Sequence, residues 1–283
     1  MTDEPEVLTR IDNGVGRLTL NRPKAINSLT QTMVDIMAAV LADWAADDSV
    51  RAVILDGAGE RGLCAGGDVV ALYHSARAGG AEARKFWFDE YRVNALIGAF
   101  GKPYVSLMDG IVMGGGVGVG AHGNIRVVTE KTKMGMPEVG IGFIPDVGGT
   151  HLLSKVPDEL GTYVALTAGT IRAADAIAIG LADHYIPADG VAAALQWWQP
   201  GEAFPGADPG ESALAEQRGW IREAFAGDSV ADIIARCRAL GTEEATKAAG
   251  IIEAKSPLAA AVTLRALREA APRQDLAESL RVE

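Results

Sequence analysis

Apolar and polar positions alternate over Val7 to Ile11 and again over Val15 to Leu20, with Asp12-Asn13-Gly14 between them. That pattern predicts a β-hairpin. From about Thr30 the period changes, and Met33, Ile36, Met37, Val40, Leu41 and Trp44 recur at helical spacing. Ser28, with Gln31 three residues on, reads as the capping box of that helix. Short apolar runs at Ala52–Asp56, Tyr104–Met108 and Ile125–Thr129 predict buried strands, and His184–Ile186 predicts a closing one. The first strand runs into a glycine-rich loop over 57–67, after which Asp68 is placed to cap a helix over Val69–Ser75. Gly161–Ala168 and Arg172–Ile179 predict two further helices. Strand, glycine loop and helix alternate in this way through the first two thirds of the chain, which is an α/β pattern. Residues 199–211 are rich in Pro and Gly and read as a linker. They divide a core over 1–198 from a helical region over 212–283, with helices expected at Ala213–Phe225, Val230–Leu240, Thr242–Ala254 and Pro257–Ala270.

Composition narrows the class without choosing a function. The 283 residues are 48% hydrophobic and 22% charged, enough to bury a sizeable core. A formal charge of −11 with no long basic run argues against nucleic acid or an anionic membrane as the partner. Cys64 and Cys237 are too few for a disulfide framework and fit a reducing compartment. The acidic start, Met1 to Glu6, predicts no signal peptide, and no run of 18 apolar residues suggests a membrane span, so a cytoplasmic location is expected. Gly-x-Ser-x-Gly, Cys-x-x-Cys, His-Glu-x-x-His and a Walker-type Gly-Lys-Ser/Thr are all absent, which leaves hydrolase-elbow and metal chemistry without support. Gly118-Val119-Gly120-Ala121-His122-Gly123 matches the dinucleotide pattern, but it falls inside a helix and not at a strand-to-helix turn.

Two loops carry the candidate chemistry: Cys64-Ala65-Gly66-Gly67-Asp68 and Met113-Gly114-Gly115-Gly116-Val117-Gly118. Glycines let backbone N–H groups approach a ligand closely, and N–H groups that open a helix have no intrahelical partner. Two such donors aimed at one carbonyl oxygen would make an oxyanion hole. Close helix packing or tight turns explain the same glycines as well. Glu138, in Met136-Pro137-Glu138, and Asp146, eight residues on, are either solvated loop carboxylates or a proton-transferring pair. The apolar neighbours Met136, Pro137, Val139 and Ile141 favour burial of Glu138, which raises a carboxyl pKa. Cys64 reads as a small buried hydrophobe and His122 as a hydrogen-bonded core histidine. Trp197-Trp198 either covers a cleft or packs against the linker.

Asn21-Arg22-Pro23-Lys24-Ala25-Ile26-Asn27-Ser28-Leu29, Cys64-Ala65-Gly66-Gly67-Asp68, Gly114-Gly115-Gly116 and Gly180-Leu181-Ala182-Asp183 stand in the order of the crotonase (enoyl-CoA hydratase/isomerase) superfamily, which the chain resembles from about residue 6 to residue 283. The resemblance implies a spiral of ββα units followed by a C-terminal helical region, an acyl-CoA substrate, and assembly as a homotrimer. Coenzyme A is then part of the substrate, and no separate cofactor or metal is implied. Carried over, Gly67 and Gly115 are the oxyanion donors. Lys24 and Ala25 fall in the segment at the nucleotide end of CoA, with Arg22 and Lys24 as local cations for its phosphates, and Ala65 and Gly66 (with Gly67) fall in the strip along adenine and pantetheine. Lys255 opens a late helix that either meets CoA or is a solvated helix N-terminus.

Hydratases of the superfamily use two glutamates, and the first falls on Gly118 here, where there is no proton to move. Met113 to Gly118, His122-Gly123, Met136-Pro137-Glu138, Pro145-Asp146-Val147-Gly148-Gly149 and Phe88 to Asn94 resemble instead the 3-hydroxyisobutyryl-CoA hydrolase branch, which acts in valine breakdown. That branch implies Glu138 and Asp146 as the working acids and Glu90 as a contact of the acyl hydroxyl. Glu138 would attack the thioester directly or activate water, and both routes fit. The branch also implies further helical and extended structure beyond Leu280-Arg281-Val282-Glu283. Alternatives are a hydratase or isomerase, a CoA-binding protein without turnover and, remotely, a nicotinamide oxidoreductase.

Overall fold

The computed structural model describes residues 4–283, so Met1, Thr2 and Asp3 of the acidic start lie outside the described residues. The hairpin forms as its turn chemistry dictates. β1 (Val7–Asp12) runs antiparallel to β2 (Val15–Leu20), and Asn13 and Gly14 take φ of 53° and 79° between them. β2 then pairs in parallel with β3 (Ala52–Gly57), β3 with β4 (Tyr104–Met108), β4 with β6 (Ile125–Val128) and β6 with β8 (His184–Tyr185). A second, two-stranded parallel sheet joins β5 (Ile111–Met113) to β7 (Lys133–Gly135). This is the α/β alternation that the strand-loop-helix pattern predicts, in the spiral that the family resemblance implies.

Both faces of the large sheet are covered, because its central strands are apolar on both sides. Val53 and Leu55 of β3 enter the main core beneath α1 (Gln31–Ala46), whose Met33, Met37, Leu41 and Trp44 are buried. Ala52 and Ile54 face the other way, into a smaller cluster with Val105, Val127, Ile186, Trp198 and Phe204. Trp198 packs against Phe204 with the rings tilted at 52° and 5.6 Å apart, and donates its indole N–H to the carbonyl of Glu202. It therefore packs against segment 199–211, and that segment seals the back of the sheet.

Nine further helices follow the order α2 (Val69–Arg77), α3 (Ala81–Gly98), α4 (Gly115–Gly120), α5 (Gly149–Ser154), α6 (Leu160–Thr167), α7 (Ala173–Ala178), α8 (Val191–Trp197), α9 (Ala213–Glu216) and α10 (Arg218–Phe225). α11 (Val230–Leu240), α12 (Glu243–Glu253), α13 (Pro257–Ala270) and α14 (Leu276–Leu280) complete the chain. Ile221, Phe225, Ile252, Leu264 and Leu267 from this region are buried in the same main core as the spiral. No helix among the described residues is long and apolar enough to cross a membrane.

Three local expectations change. The cap of α1 is Thr30, whose hydroxyl accepts from the Met33 N–H, and not Ser28. Leu29 pairs with the Gly66–Gly67 backbone, so the chain stays extended two residues longer than a Ser28 cap would allow. Ala213–Phe225 is two helices, broken at Gln217. The 18-residue α3 has no counterpart among the expected helices, although it carries part of the site.

Candidate active site

Three backbone segments lie side by side and advance in the same direction. Cys64 donates to the Ile111 carbonyl at 3.1 Å and accepts from the Met113 N–H at 3.0 Å, which locks the first glycine loop onto β5. β5 in turn pairs with β7, and the Gly114 N–H reaches the Gly135 carbonyl at 3.2 Å. Where these two ladders end, Gly66-Gly67, Gly114-Gly115 and Pro137-Glu138 emerge together. Gly66 (φ 103°) and Gly114 (φ 49°) turn through the region that side chains disfavour. A Cβ on Gly114 would stand 2.8 Å from Glu138 Oε1, so that glycine leaves room for the carboxylate.

These segments line a cavity of about 300 Å³ together with Glu90, Asp146, Val147, Leu72, Phe86 and Phe143. Ala65, Gly66, Gly67, Gly115, Glu138, Asp146 and Glu90 are thus brought to one space. Neither the Gly67 nor the Gly115 N–H has a backbone acceptor among the described residues. A Cβ built on Gly115 lies 3.4 Å from the Gly67 nitrogen, which sets the two donors on the same wall. The arrangement offers two free donors to an oxygen and three acids to the atoms around it.

Arg22, Lys24 and Ala25 do not line this cavity. The Arg22 guanidinium is half-buried and engaged with Asp68 at 3.1 Å, with the Ser28 carbonyl at 2.6 Å and with Glu6 at 3.6 Å. It braces the first loop and is already paired with two carboxylates. Lys24 is exposed on the short turn Pro23–Ala25, with Ala25 half-buried beside it. Lys255 sits before the Ser256 cap of α13, its Nζ 3.8 Å from where a Cβ on Gly140 would be.

Burial dominates the electrostatics. Glu138 is 7% exposed, its Oε2 has no partner, and desolvation followed by the Asp146 charge pushes its carboxyl up to about 8. Asp146 is raised to about 6 by burial, and the Tyr91 hydroxyl, donating at 2.8 Å, pulls the other way. Glu90 is 2% exposed, with Oε1 unpartnered. Burial and the charges of Asp146 and Glu138 raise it well above the ordinary range, so its neutral form is favoured. Three acids with separated pKa values can store, accept and donate protons within one cavity.

Cys64 is buried and its thiol is pushed up to about 12, so it is a packing residue and no nucleophile. Burial lowers His122 to about 4, leaving it neutral, with Nε2–H donating to the Val147 carbonyl at 2.8 Å. Gly118 is walled in, since a Cβ there would meet Val147 Cβ at 2.7 Å and Asn94 Nδ2 at 2.9 Å. Among the described residues no set of three His, Cys, Asp or Glu side chains is placed to hold a metal ion. Tyr91 and Glu283 enter the site without any signal of spacing. Glu283 accepts from the Gly148 and Thr150 N–H groups at 2.7 and 3.1 Å and from the Thr150 hydroxyl.

Burying Glu138 has a consequence for stability. A carboxyl raised from about 4.5 to about 8 on folding contributes stability that is fully present below pH 4.5 and lost as pH rises through 8. Glu138→Gln removes that loss. Its melting temperature is therefore expected to exceed that of the parent at pH 8–9 and to converge with it near pH 5, as read by calorimetry across pH. An equal or lower melting temperature at pH 9 would contradict the assigned burial cost.

The enoyl-CoA hydratase/isomerase family matches residues 15–283. The mitochondrial 3-hydroxyisobutyryl-CoA hydrolase of Danio rerio is 36% identical over 284 aligned residues, covering 94% of this chain and 74% of that protein. Among solved structures, a carnitinyl-CoA dehydratase from Mycobacterium thermoresistibile is 60% identical with a TM-score of 0.95, covering 98% of this chain and 83% of the other. An enoyl-CoA hydratase from Rhodobacter sphaeroides 2.4.1 is 41% identical with a TM-score of 0.92, covering 97% and 82%. With the profile spanning nearly the whole chain and a relative above one-third identity, the chain belongs to the enoyl-CoA hydratase/isomerase (crotonase) family.

Proposed function

We propose that the chain hydrolyses a short-chain hydroxyacyl-CoA thioester, with 3-hydroxyisobutyryl-CoA as the best-fitting substrate. The observation that carries this reading is the acid set. Glu138, Asp146 and Glu90 face one cavity, while the position of a second hydratase glutamate is Gly118, closed off by Val147 and Asn94. The thioester carbonyl oxygen would sit between the N–H groups of Gly67 and Gly115, each contributing on the order of 3 kcal/mol to the tetrahedral state. The ionised Glu138 then attacks the carbonyl carbon to give a mixed anhydride that water opens, or it takes a proton from water that attacks instead. In both routes the C–S bond breaks and CoA leaves as the thiolate. It is protonated by the proton Glu138 took from water in the base route, and by a proton released when water opens the anhydride in the covalent route. Asp146, held by Tyr91, orients water or exchanges protons with Glu138. Neutral Glu90 is suited to hydrogen-bond the acyl hydroxyl.

A second reading is (de)hydratase chemistry, favoured by the 60% identity to the carnitinyl-CoA dehydratase of Mycobacterium thermoresistibile. Free thiol released from 3-hydroxyisobutyryl-CoA, measured alongside hydration of crotonyl-CoA on the same preparation, separates the two. Thiol release is expected, with crotonyl-CoA untouched. Hydration without thiol release would overturn the hydrolase reading and the argument from Gly118.

A further inference from the structure

The turn that aims Asp146 is strained. Val147 is β-branched yet sits at φ 52°, and Gly148 follows at φ 80°. A β-branched residue in the left-handed region is strained and persists only where its surroundings over-determine it. Three restraints act on this turn: Tyr91 donates to Asp146, His122 donates to the Val147 carbonyl, and Glu283 takes both the Gly148 and the Thr150 N–H. The third comes from a residue 135 positions away, just after α14, and its carboxylate also accepts from the Thr150 hydroxyl. Thr150 is 2% exposed, so that contact is made inside the protein.

We propose that Glu283 is a positioning residue for Asp146: its carboxylate clamps the strained Val147–Gly148 turn and so couples the segment around α14 to the catalytic acids. Glu283 does not itself line the cavity and bonds to Gly148 and Thr150, and its role rests on the hydrolase reading above. The titratable groups coupled to its carboxylate are Asp146 in the turn, Tyr91 on α3 and Glu138 across the cavity, while His151 on α5 is hydrogen-bonded at 3.1 Å to Ser279 of the adjoining α14. The negative charge of Glu283 raises Glu138, and Asp146 together with burial raises Glu283 itself, to about 7. Clamp and charge are separable, since aspartate keeps the charge but is one methylene too short to span Gly148 and Thr150.

The test compares Glu283→Gln, Glu283→Asp and Thr150→Val in the full chain. Glu283→Gln is close in shape to the parent and loses one acceptor and the charge. A fall in kcat of roughly tenfold is expected for both Glu283 variants, from the loss of a charged hydrogen bond, with KM changed far less. The Glu138 carboxyl, followed by 13C NMR, is expected to titrate at lower pH in Glu283→Gln but close to the parent in Glu283→Asp. A merely structural role would move neither the titration nor the kcat-against-KM split. Unchanged kcat in both Glu283 variants, or an unchanged Glu138 titration in Glu283→Gln, overturns the proposal. Should the parent release no CoA, the hydrolase reading fails by itself. Hydrogen exchange at the Gly148 and Thr150 amides then still decides the clamp: exchange at least tenfold faster in Glu283→Gln and Thr150→Val supports it, and parental rates exclude it.

Discussion

Glutamine at position 138 is expected to lower the rate of CoA release by on the order of 10³–10⁴-fold while leaving the fold intact. Both routes through the site need the Glu138 carboxylate, in one as nucleophile and in the other as base, and an amide serves as neither. The neighbouring acids do not replace it. Asp146 is tied to the Tyr91 hydroxyl at 2.8 Å, and burial, reinforced by the charges of Asp146 and Glu138, favours the neutral form of Glu90. The same carboxylate sets the pH profile. Because Glu138 is raised to about 8 and Asp146 to about 6, kcat/KM is expected to rise with pH between those values and to level off above them. Single-turnover thiol release across pH checks both statements. Residual activity within tenfold of the parent would remove Glu138 from the chemistry.

Alanine at Gly115 is expected to cost about 10²–10³-fold in kcat, the loss associated with one oxyanion donor. The added methyl carbon falls 2.5 Å from Glu90 Oε1, 3.2 Å from Leu29 Cδ1 and 3.4 Å from the Gly67 nitrogen. Glu90 and Leu29 are buried, so neither can swing into solvent, and the methyl group stands beside the second donor. Substrate binding should suffer less than turnover, because most of the CoA lies away from the two N–H groups. Measuring KM and kcat separately distinguishes this from general damage. A variant that loses affinity but keeps kcat would mean that Gly115 lines the pocket without stabilising charge.

Much of the candidate site is legible from residue type alone. Gly66 and Gly114 stand where a side chain is unfavourable, and Glu138 follows a proline among apolar neighbours. What stays hidden is hidden for physical reasons. α3 buries Ala83, Phe86, Glu90, Val93, Asn94 and Ile97 at helical spacing, but two of the six are polar, so the apolar stripe looks broken. The residues that give the helix its place in the site are the ones that obscure it. Ser28 and Gln31 satisfy a local capping rule that the pairing of Leu29 with the first glycine loop overrides. Arg22 looks like a free cation until Glu6 and Asp68 are folded against it. Glu283 carries no local signal, since its partners lie more than 130 residues away.

By itself the sequence determined the local conformations: the Asn13-Gly14 turn, the strand and helix periods, the glycines at which no side chain fits, and the absence of an acid at residue 118. Each of these follows from steric or hydrophobic preferences acting over a few residues. Tertiary structure alone decided which acids face one another and in what charge state. The parallel pairing of Cys64 with Val112, and of Met113 with Gly135, delivers three distant loops to one end of the ladder. The surrounding core then withdraws water from Glu138, Asp146 and Glu90, and it is that withdrawal, a property of the packed fold and of no single segment, that raises their pKa values toward the range in which protons move.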